Sequence, residues 1–231
     1  MINCSFNWPE MSRIVGPCIR PGGSLLTERA LEICHIPAGS RIVDIGCGAG
    51  GTLEQLERPG IYRLVGLDLS KTLLGEAVPR VGTGRLVQGR AEKLPFKKDF
   101  FDALFCECVL SILEDKSAAL HEFARVLKNG GFLVVSDVFG KGDHGTAGHA
   151  DGLLTQEEIH DLVSGSGFTI LHWEAHDRLL KEFAARMILA GGCLPDSWMG
   201  GKRQKEKEKK TDRTSISYFL LVARKSGDVS Q

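Results

Sequence analysis

A glycine-rich turn directly after an apolar stretch is the feature of this sequence best suited to hold a ligand. Residues 41–51 read R-I-V-D-I-G-C-G-A-G-G. The β-branched residues before the turn predict a buried strand, and the glycines allow a sharp turn and a close approach of a ligand to the backbone. A predicted helix over 51–58 directs its positive N-terminal end at the same turn. This strand–turn–helix pattern predicts the start of a nucleotide-binding βαβ unit.

Two acidic residues narrow the type of ligand. The spacing Gly46-x-Gly48-x-x-Gly51 also satisfies the dinucleotide pattern, and Asp68, at the end of the next predicted strand, suits the ribose hydroxyls of either ligand. Asp44 separates the two interpretations, because a carboxylate beside the turn repels a pyrophosphate and favours an ammonium and a sulfonium. S-adenosylmethionine (SAM) carries both of these groups and no phosphate. We therefore expect SAM at this turn.

The order of the motifs resembles the class I SAM-dependent methyltransferases, in particular a type 11-like small-molecule branch. The resemblance implies an α/β fold with a Rossmann-like, doubly wound, seven-stranded sheet whose last strand is antiparallel. It also implies transfer of a methyl group from SAM to a small-molecule or carrier-bound acceptor, with S-adenosylhomocysteine (SAH) as product. The motifs are D-I-G-C-G-A-G at 44–50, G-L-D-L-S at 66–70, A-E-K-L-P-F at 91–96, F-D-A-L-F-C at 101–106 and R-V-L-K-N-G-G-F-L-V-V-S-D at 125–137.

The same resemblance assigns residues to the cofactor site. The glycine turn would hold the methionine part of SAM, the acid after the second strand would bind the ribose, and later positions would frame the adenine and the amino-acid part. In chain order the residues assigned are Asp44, Gly46, Cys47, Gly48, Asp68, Leu69, Ala91, Glu92 and Cys106. Arg90 stands where many relatives have an acid, so the adenine contact is the least defined part of the site.

The sequence does not identify a single catalytic residue. Methyl transfer from a sulfonium depends mainly on alignment and on exclusion of water, although an oxygen or nitrogen acceptor usually needs a general base. Glu107, Asp137, His144 and His149 are the candidates, because all are predicted near the carboxyl ends of strands, where open α/β sheets bind ligands. Arg20, in I-R-P-G-G at 19–23, is a possible lid residue whose guanidinium suits a carboxylate.

The cysteines leave one alternative activity open. Seven scattered cysteines with no secretion signal do not form a disulfide framework. Arsenite methyltransferases resemble this chain in the core and hold a metalloid with cysteines, which are soft ligands. However, the spacings of the other cysteines match no zinc site. We expect no metal site.

Composition narrows the class of protein. The 231 residues have a net charge of zero, 42% hydrophobic and 25% charged residues, as is ordinary for a globular protein. The balanced charge argues weakly against a nucleic-acid partner, and no apolar run approaches the ~20 residues that span a bilayer. With no signal peptide apparent, a cytoplasmic protein is expected. Its oligomeric state is not determined.

The pattern along the chain predicts a single domain. Residues 1–23 form an irregular segment or lid, 24–225 the domain with a charged surface insertion at 191–213, and 226–231 a tail. Within the insertion, 202–213 has seven basic and three acidic residues, as in a solvated linker or a segment that docks to an acidic partner. Strands are predicted at about 40–45, 62–68, 84–89, 100–106, 131–137, 168–173 and 215–225, and helices at about 24–35, 51–58, 70–80, 116–128, 155–164 and 178–190, with a helix stop at 129–131.

Two further functions compete with methyl transfer. An NAD(P)-dependent oxidoreductase would bind a dinucleotide and no SAM, and both Asp44 and the predicted antiparallel last strand count against it. A non-catalytic SAM-binding protein would bind SAM tightly without turning it over. The sequence does not separate this last function from an enzyme, because methyl transfer requires no obligatory catalytic side chain.

Overall fold

Seven strands form one mixed sheet in the order β3-β2-β1-β4-β5-β7-β6. The computed structural model describes residues 16, 18–58, 60–141, 153–189 and 216–227. β7 runs antiparallel to both of its neighbours, while the other neighbouring strands are parallel. This arrangement confirms the predicted fold class. The strands are β1 (Arg41–Ile45), β2 (Arg63–Asp68), β3 (Leu86–Gln88), β4 (Phe101–Glu107), β5 (Leu127–Gly140), β6 (Phe168–Ala175) and β7 (Ile216–Lys225).

Helices cover both faces of the sheet, and several begin at side chains that cap them. Ser70, Asp115 and Thr155 each accept a hydrogen bond from a backbone N–H of the first turn, and Thr155 forms a full capping box. The helices are α1 (Leu25–Cys34), α2 (Gly51–Glu57), α3 (Lys71–Val81), α4 (Lys116–Val126), α5 (Gln156–Gly165) and α6 (Asp177–Leu189), with short 3-10 helices at Thr83–Arg85 and Leu110–Ile112.

The core consists of two apolar layers, one on each face of the sheet. Side chains alternate along each strand, so that Val43 and Ile45 of β1 enter one layer and Ile42 enters the other. The first layer is completed by α4 and α5, and the second by α1, α2 and α3. The sheet is thus buried on both faces, as expected for the near-continuous apolar runs of its strands.

The helix stop predicted at 129–131 is wrong. α4 ends at Val126, and Leu127 already has the extended conformation that begins β5. The glycines of this segment lie within β5, where Gly130 has a φ of +76° and the pairing with β4 shifts register between Phe101 and Ala103. The glycines therefore accommodate an irregular strand entry rather than a helix end.

Other predicted elements lie close to the observed ones. The strand expected over 84–89 is shortened to Leu86–Gln88, because the preceding residues form a 3-10 helix. Within the described part of the chain, no helix has the length and apolar content needed to cross a membrane. The insertion at 191–213 lies outside the described residues. The division of the chain into segment, domain and tail stays a prediction.

Candidate functional site

A cleft of about 650 Å³ opens at the carboxyl ends of β1, β2 and β4. This volume lies within the range of roughly 300–1,000 Å³ that is typical of small-molecule sites, and this edge of the sheet is where α/β proteins bind ligands. The loops after these three strands form its floor, while residues 18–20 and α6 contribute to its walls.

The glycine turn after β1 forms part of the floor, and its shape requires glycine. Gly46, Gly48 and Gly50 all have positive φ angles, of 73°, 53° and 84°. A side chain at Gly46 would also overlap the side chain of Val109. The backbone N–H of Gly46 donates to the carbonyl oxygen of Leu67 over 2.7 Å, which fixes the turn against β2. The backbone is therefore open to a ligand on the cleft side.

Asp68 lies at the end of β2 and lines the cleft. Its two carboxylate oxygens accept backbone N–H groups of Gly48 and Ser70, each over 2.8 Å. Since each carboxylate oxygen has two acceptor sites, both oxygens can still accept a hydroxyl. Asp68 is thus held rigidly in the position that the sequence predicts for ribose binding.

Asp44 is a buried carboxylate beside the glycine turn, with 2% of its surface exposed. Its Oδ2 has no hydrogen-bond partner within the described residues. Burial raises the pKa of Asp44 well above its ordinary value, the charge of Glu107 raises it further, and Arg20 opposes the shift. An unsatisfied buried oxygen is costly, and an ammonium group of a ligand would satisfy it.

Arg20 and Glu107 form a buried ion pair in the cleft wall. Arg20 Nη1 lies 3.0 Å from Glu107 Oε2. The Thr27 hydroxyl donates to Glu107 Oε1 over 3.0 Å, and the Thr52 hydroxyl donates to Oε2 over 2.8 Å. Each hydroxyl in turn accepts a guanidinium N–H of Arg20.

The Glu107 carboxylate is thus contacted by three side chains, those of Arg20, Thr27 and Thr52. Burial alone would lower the pKa of Arg20, but Glu107, together with smaller contributions from Cys18, Tyr218 and Cys108, raises the pKa above its ordinary value. Arg20 Nε has no hydrogen-bond partner within the described part of the chain. Arg20 is therefore part of the cleft wall, with one donor left over for a ligand, and Glu107 serves it as a counter-ion.

Comparison with known proteins indicates the family. Residues 43–135 match the methyltransferase domain family. This match, the methyltransferase relatives and the shared fold together support a class I SAM-dependent methyltransferase. It is similar to the methyltransferase GfsG of Streptomyces halstedii, with 29% identity over 141 residues that cover 58% of this chain and 50% of that protein. The chain spans about half the length of the curated relatives it matches.

Two solved structures share the fold of this chain. The (4+2)-cyclase SpnF is 21% identical with a TM-score of 0.72, covering 94% of this chain and 92% of that one. Phosphoethanolamine N-methyltransferase 2 of Haemonchus contortus, in complex with phosphomonomethylethanolamine and SAH, is 19% identical with a TM-score of 0.71, covering 94% of this chain and 56% of that one. At these identities the likeness concerns the fold alone.

Most of the cofactor positions predicted for the methyltransferase line the cleft. Besides the residues already described, these are Cys47, Leu69, Ala91 and Glu92. Cys106 differs, because it is fully buried in the core layer and does not line the cleft. Its backbone lies one residue before Glu107, at the end of the strand that borders the cleft.

Asp137, another candidate base, does not line this cleft. Asp137 is buried outside its lining, where the backbone N–H groups of Ser111 and Val138 donate to its carboxylate over 2.8 and 2.7 Å. Burial raises the pKa of Asp137 to about 6. His144 and His149 lie outside the described residues. Asp137 thus holds the turn after β4 in place.

Three cysteines are among the residues that line the cleft, namely Cys18, Cys47 and Cys108. Burial raises the pKa of each of them, which keeps the thiols protonated at neutral pH. The Sγ of Cys108 lies 3.0 Å from the hydroxyl of Tyr218. Within the described residues there is no group of three or more histidines, cysteines or acids placed to hold a metal ion.

Sequence reasoning missed the apolar wall of the cleft. Phe183 and Met187 lie one turn apart on α6 and are almost completely buried, and they line the cleft together with Val109, Ile112 and Leu113. The spacing of the pair is compatible with an ordinary amphipathic helix. Only the packing of α6 brings these two side chains to the cofactor edge.

Proposed function

We propose that this protein transfers a methyl group from SAM to a small-molecule acceptor bound in the same cleft. The observation that carries the proposal is the buried carboxylate of Asp44, whose Oδ2 lacks a partner within the described residues beside the glycine turn. A cationic ammonium group satisfies such an atom, and a pyrophosphate does not.

The other polar groups of the cleft fit the rest of SAM. The free Nε of Arg20 suits the carboxylate of the methionine part. Asp68 retains acceptor sites for the two ribose hydroxyls. Leu69 and Ala91 offer apolar surface to the adenine. The site thus has a counterpart for the ammonium, the carboxylate and the ribose hydroxyls of the cofactor.

The residues of this chain contribute position rather than acid–base chemistry. When bound, SAM supplies a methyl group on a sulfonium: an electron pair of the acceptor forms the bond to the methyl carbon while the C–S bond breaks, and that bond's pair stays on sulfur in SAH. The turn and Asp68 fix one end of the cofactor, while the apolar wall excludes water around the acceptor. Glu107 is already paired, so a proton that the acceptor loses is expected to pass to solvent.

Calorimetric titration with SAM, SAH and NADH tests the cofactor. We expect micromolar binding of SAM and SAH and none of NADH. Asp68→Ala should weaken SAM binding by about 1–3 kcal/mol, because hydrogen bonds from the ribose to a charged group are lost. Binding of NADH alone would assign the cleft to a dinucleotide enzyme instead.

A second measurement separates an enzyme from a binding protein. The rate of SAH formation from SAM should rise when a mixture of small-molecule acceptors is added. Tight binding of SAM with no such rise, over uncharged and charged acceptors alike, would point to a non-catalytic SAM-binding protein.

A further inference from the structure

The cleft extends past the cofactor positions toward one side of the sheet. Asp68 marks the end of β2 and Asp44 the end of β1, and the next strand in the sheet order is β4. Beyond β4 lie β5 and β7, and α6 packs on β7. The part of the cleft between β4 and α6 is therefore the space left for the acceptor once SAM occupies the β1–β2 side. We refer to it as the acceptor end.

The acceptor end is apolar. Its walls are the loop and 3-10 helix after β4 on one side, with Val109, Ile112 and Leu113, and α6 on the other side, with Phe183 and Met187. Ile112 is 65% exposed at the rim, where an apolar ligand in the cleft would cover it. Burial of such surface stabilises a bound apolar molecule by about 25 cal/mol per Å² of contact.

The basic side chains among the described residues of the cleft are already engaged. Among the described residues that line the cleft, the only basic side chains are Arg20 and Arg90, with no lysine, histidine or tyrosine. Arg20 is paired with Glu107, and its unpartnered Nε–H is the donor proposed for the carboxylate of SAM. Arg90 lies 3.4 Å from Glu92 and 3.1 Å from Glu114. A phosphate or carboxylate at the acceptor end would enter without a free partner, which is costly.

The charges of the cleft as a whole also disfavour an anion. The lining contains five carboxylates, Asp44, Asp68, Glu92, Glu107 and Glu114, against the two guanidinium groups. The excess of negative charge suits SAM, which is a cation overall at neutral pH. The same excess repels an anionic acceptor through the low-dielectric walls of the cleft.

We infer that the methyl acceptor is an uncharged, largely apolar small molecule, without a phosphate, sulfonate or carboxylate group. This inference rests on the proposed function and specifies its substrate class. It separates this chain from the fold relative whose structure holds phosphomonomethylethanolamine. The acceptor's own electron pair attacks the methyl carbon, SAH leaves, and any proton lost goes to solvent.

A matched pair of fluorescent probes tests the inference. N-phenyl-1-naphthylamine is uncharged, and 8-anilinonaphthalene-1-sulfonate has the same ring skeleton with one added sulfonate. Both are titrated into the SAH-loaded protein, and we expect the uncharged probe to bind about tenfold more tightly or better, equivalent to 1.4 kcal/mol. Equal affinities, tighter binding of the sulfonate, or no binding of the uncharged probe would each overturn the inference.

Variants at the rim of the cleft show whether the acceptor end causes the difference in affinity between the two probes. Ile112→Arg adds a cation at an exposed position of the rim and should narrow the affinity ratio of the two probes several-fold. Ile61→Arg is the matched control, since Ile61 is also exposed but lies outside the cleft, and it should leave the ratio unchanged. If both variants change the ratio equally, the probes bind elsewhere and the inference fails.

The two proposals fail in different ways. If SAH does not bind at all, the proposed function is wrong before any probe is added. If SAH binds but the anionic probe is preferred, the cofactor site stands and only the substrate class is wrong.

Discussion

Replacement of Glu107 by glutamine decides whether this residue is a general base or a structural counter-ion. Both groups of the Arg20–Glu107 pair are almost completely buried, with side-chain exposures of 7% and 2%. Removal of the negative charge leaves the Arg20 guanidinium buried without its counter-ion. Breaking a buried pair in this way typically costs about 3–5 kcal/mol. The threonine hydroxyls that donate to the carboxylate lose one acceptor as well.

We therefore expect Glu107→Gln to lower the free energy of unfolding by about 3–5 kcal/mol, as measured by urea denaturation of the protein without ligand. A double-mutant cycle isolates the pair. Arg20→Met and Glu107→Gln together should cost less than the sum of the two single changes, by about 2 kcal/mol, because the double variant leaves no unpaired charge.

Two results would refute this reasoning. The first is a single variant of Glu107 with unchanged stability but strongly reduced methyl transfer, which is the behaviour of a general base. The second is strict additivity in the cycle, which would mean that the two groups do not interact in solution. Either result would restore Glu107 as a catalytic candidate.

Further predictions concern the floor of the cleft and its surroundings. Gly46→Ala should abolish SAM binding in a calorimetric titration, because the added methyl group overlaps Val109 and the φ of +73° disfavours alanine. Gly75→Ala on α3, where a side chain meets nothing within 4 Å, should leave binding intact and raise the free energy of unfolding by up to ~1 kcal/mol. Burial raises the pKa of Asp137 from its ordinary value of 3.8 to about 6. The protonated carboxyl group therefore contributes about 3 kcal/mol of stability below pH 3.8, and this contribution is lost as the pH rises through about 6. The slope of urea-derived stability against pH should flatten over this range in Asp137→Asn, and an unchanged slope would contradict the assignment. The pKa of Asp44 is also raised by burial, so SAM should bind more weakly as the pH falls and Asp44 takes up a proton. In Asp44→Asn, SAM binding should be weak at every pH.

The residues of the proposed cofactor half could be predicted from the sequence to line one cleft, because the determinants of their placement are local. The turn after β1 needs glycine at positions whose φ angles are positive, and Asp44 and Asp68 sit at fixed offsets from that turn and from the end of β2. Such patterns depend on the geometry of a few consecutive residues. These patterns can therefore be recognised in the sequence without knowledge of distant contacts.

The acceptor half could not be predicted because it depends on contacts between distant parts of the chain. Arg20 contacts Glu107 only because the segment before α1 packs across the end of β4. No pattern of neighbouring residues in the sequence predicts that ion pair. In the same way Phe183 and Met187 resemble ordinary core residues until α6 is placed beside the cleft. The predicted C-terminal end of α4 is also wrong, because the glycines at 130–131 belong to β5.

The side chains of the acceptor end, and not the fold, determine which reaction the cleft supports. SpnF, a cyclase, shares the fold over most of both chains, so the fold does not by itself fix methyl transfer as the reaction. What distinguishes one activity from another is the set of side chains at the acceptor end, which in this chain comes from the loop after β4 and from α6. Substitutions on α6 should therefore change acceptor binding without changing SAH binding, whereas substitutions at the glycine turn should change both. An α6 variant that loses SAH affinity in proportion to acceptor affinity would show that the two halves are not separate.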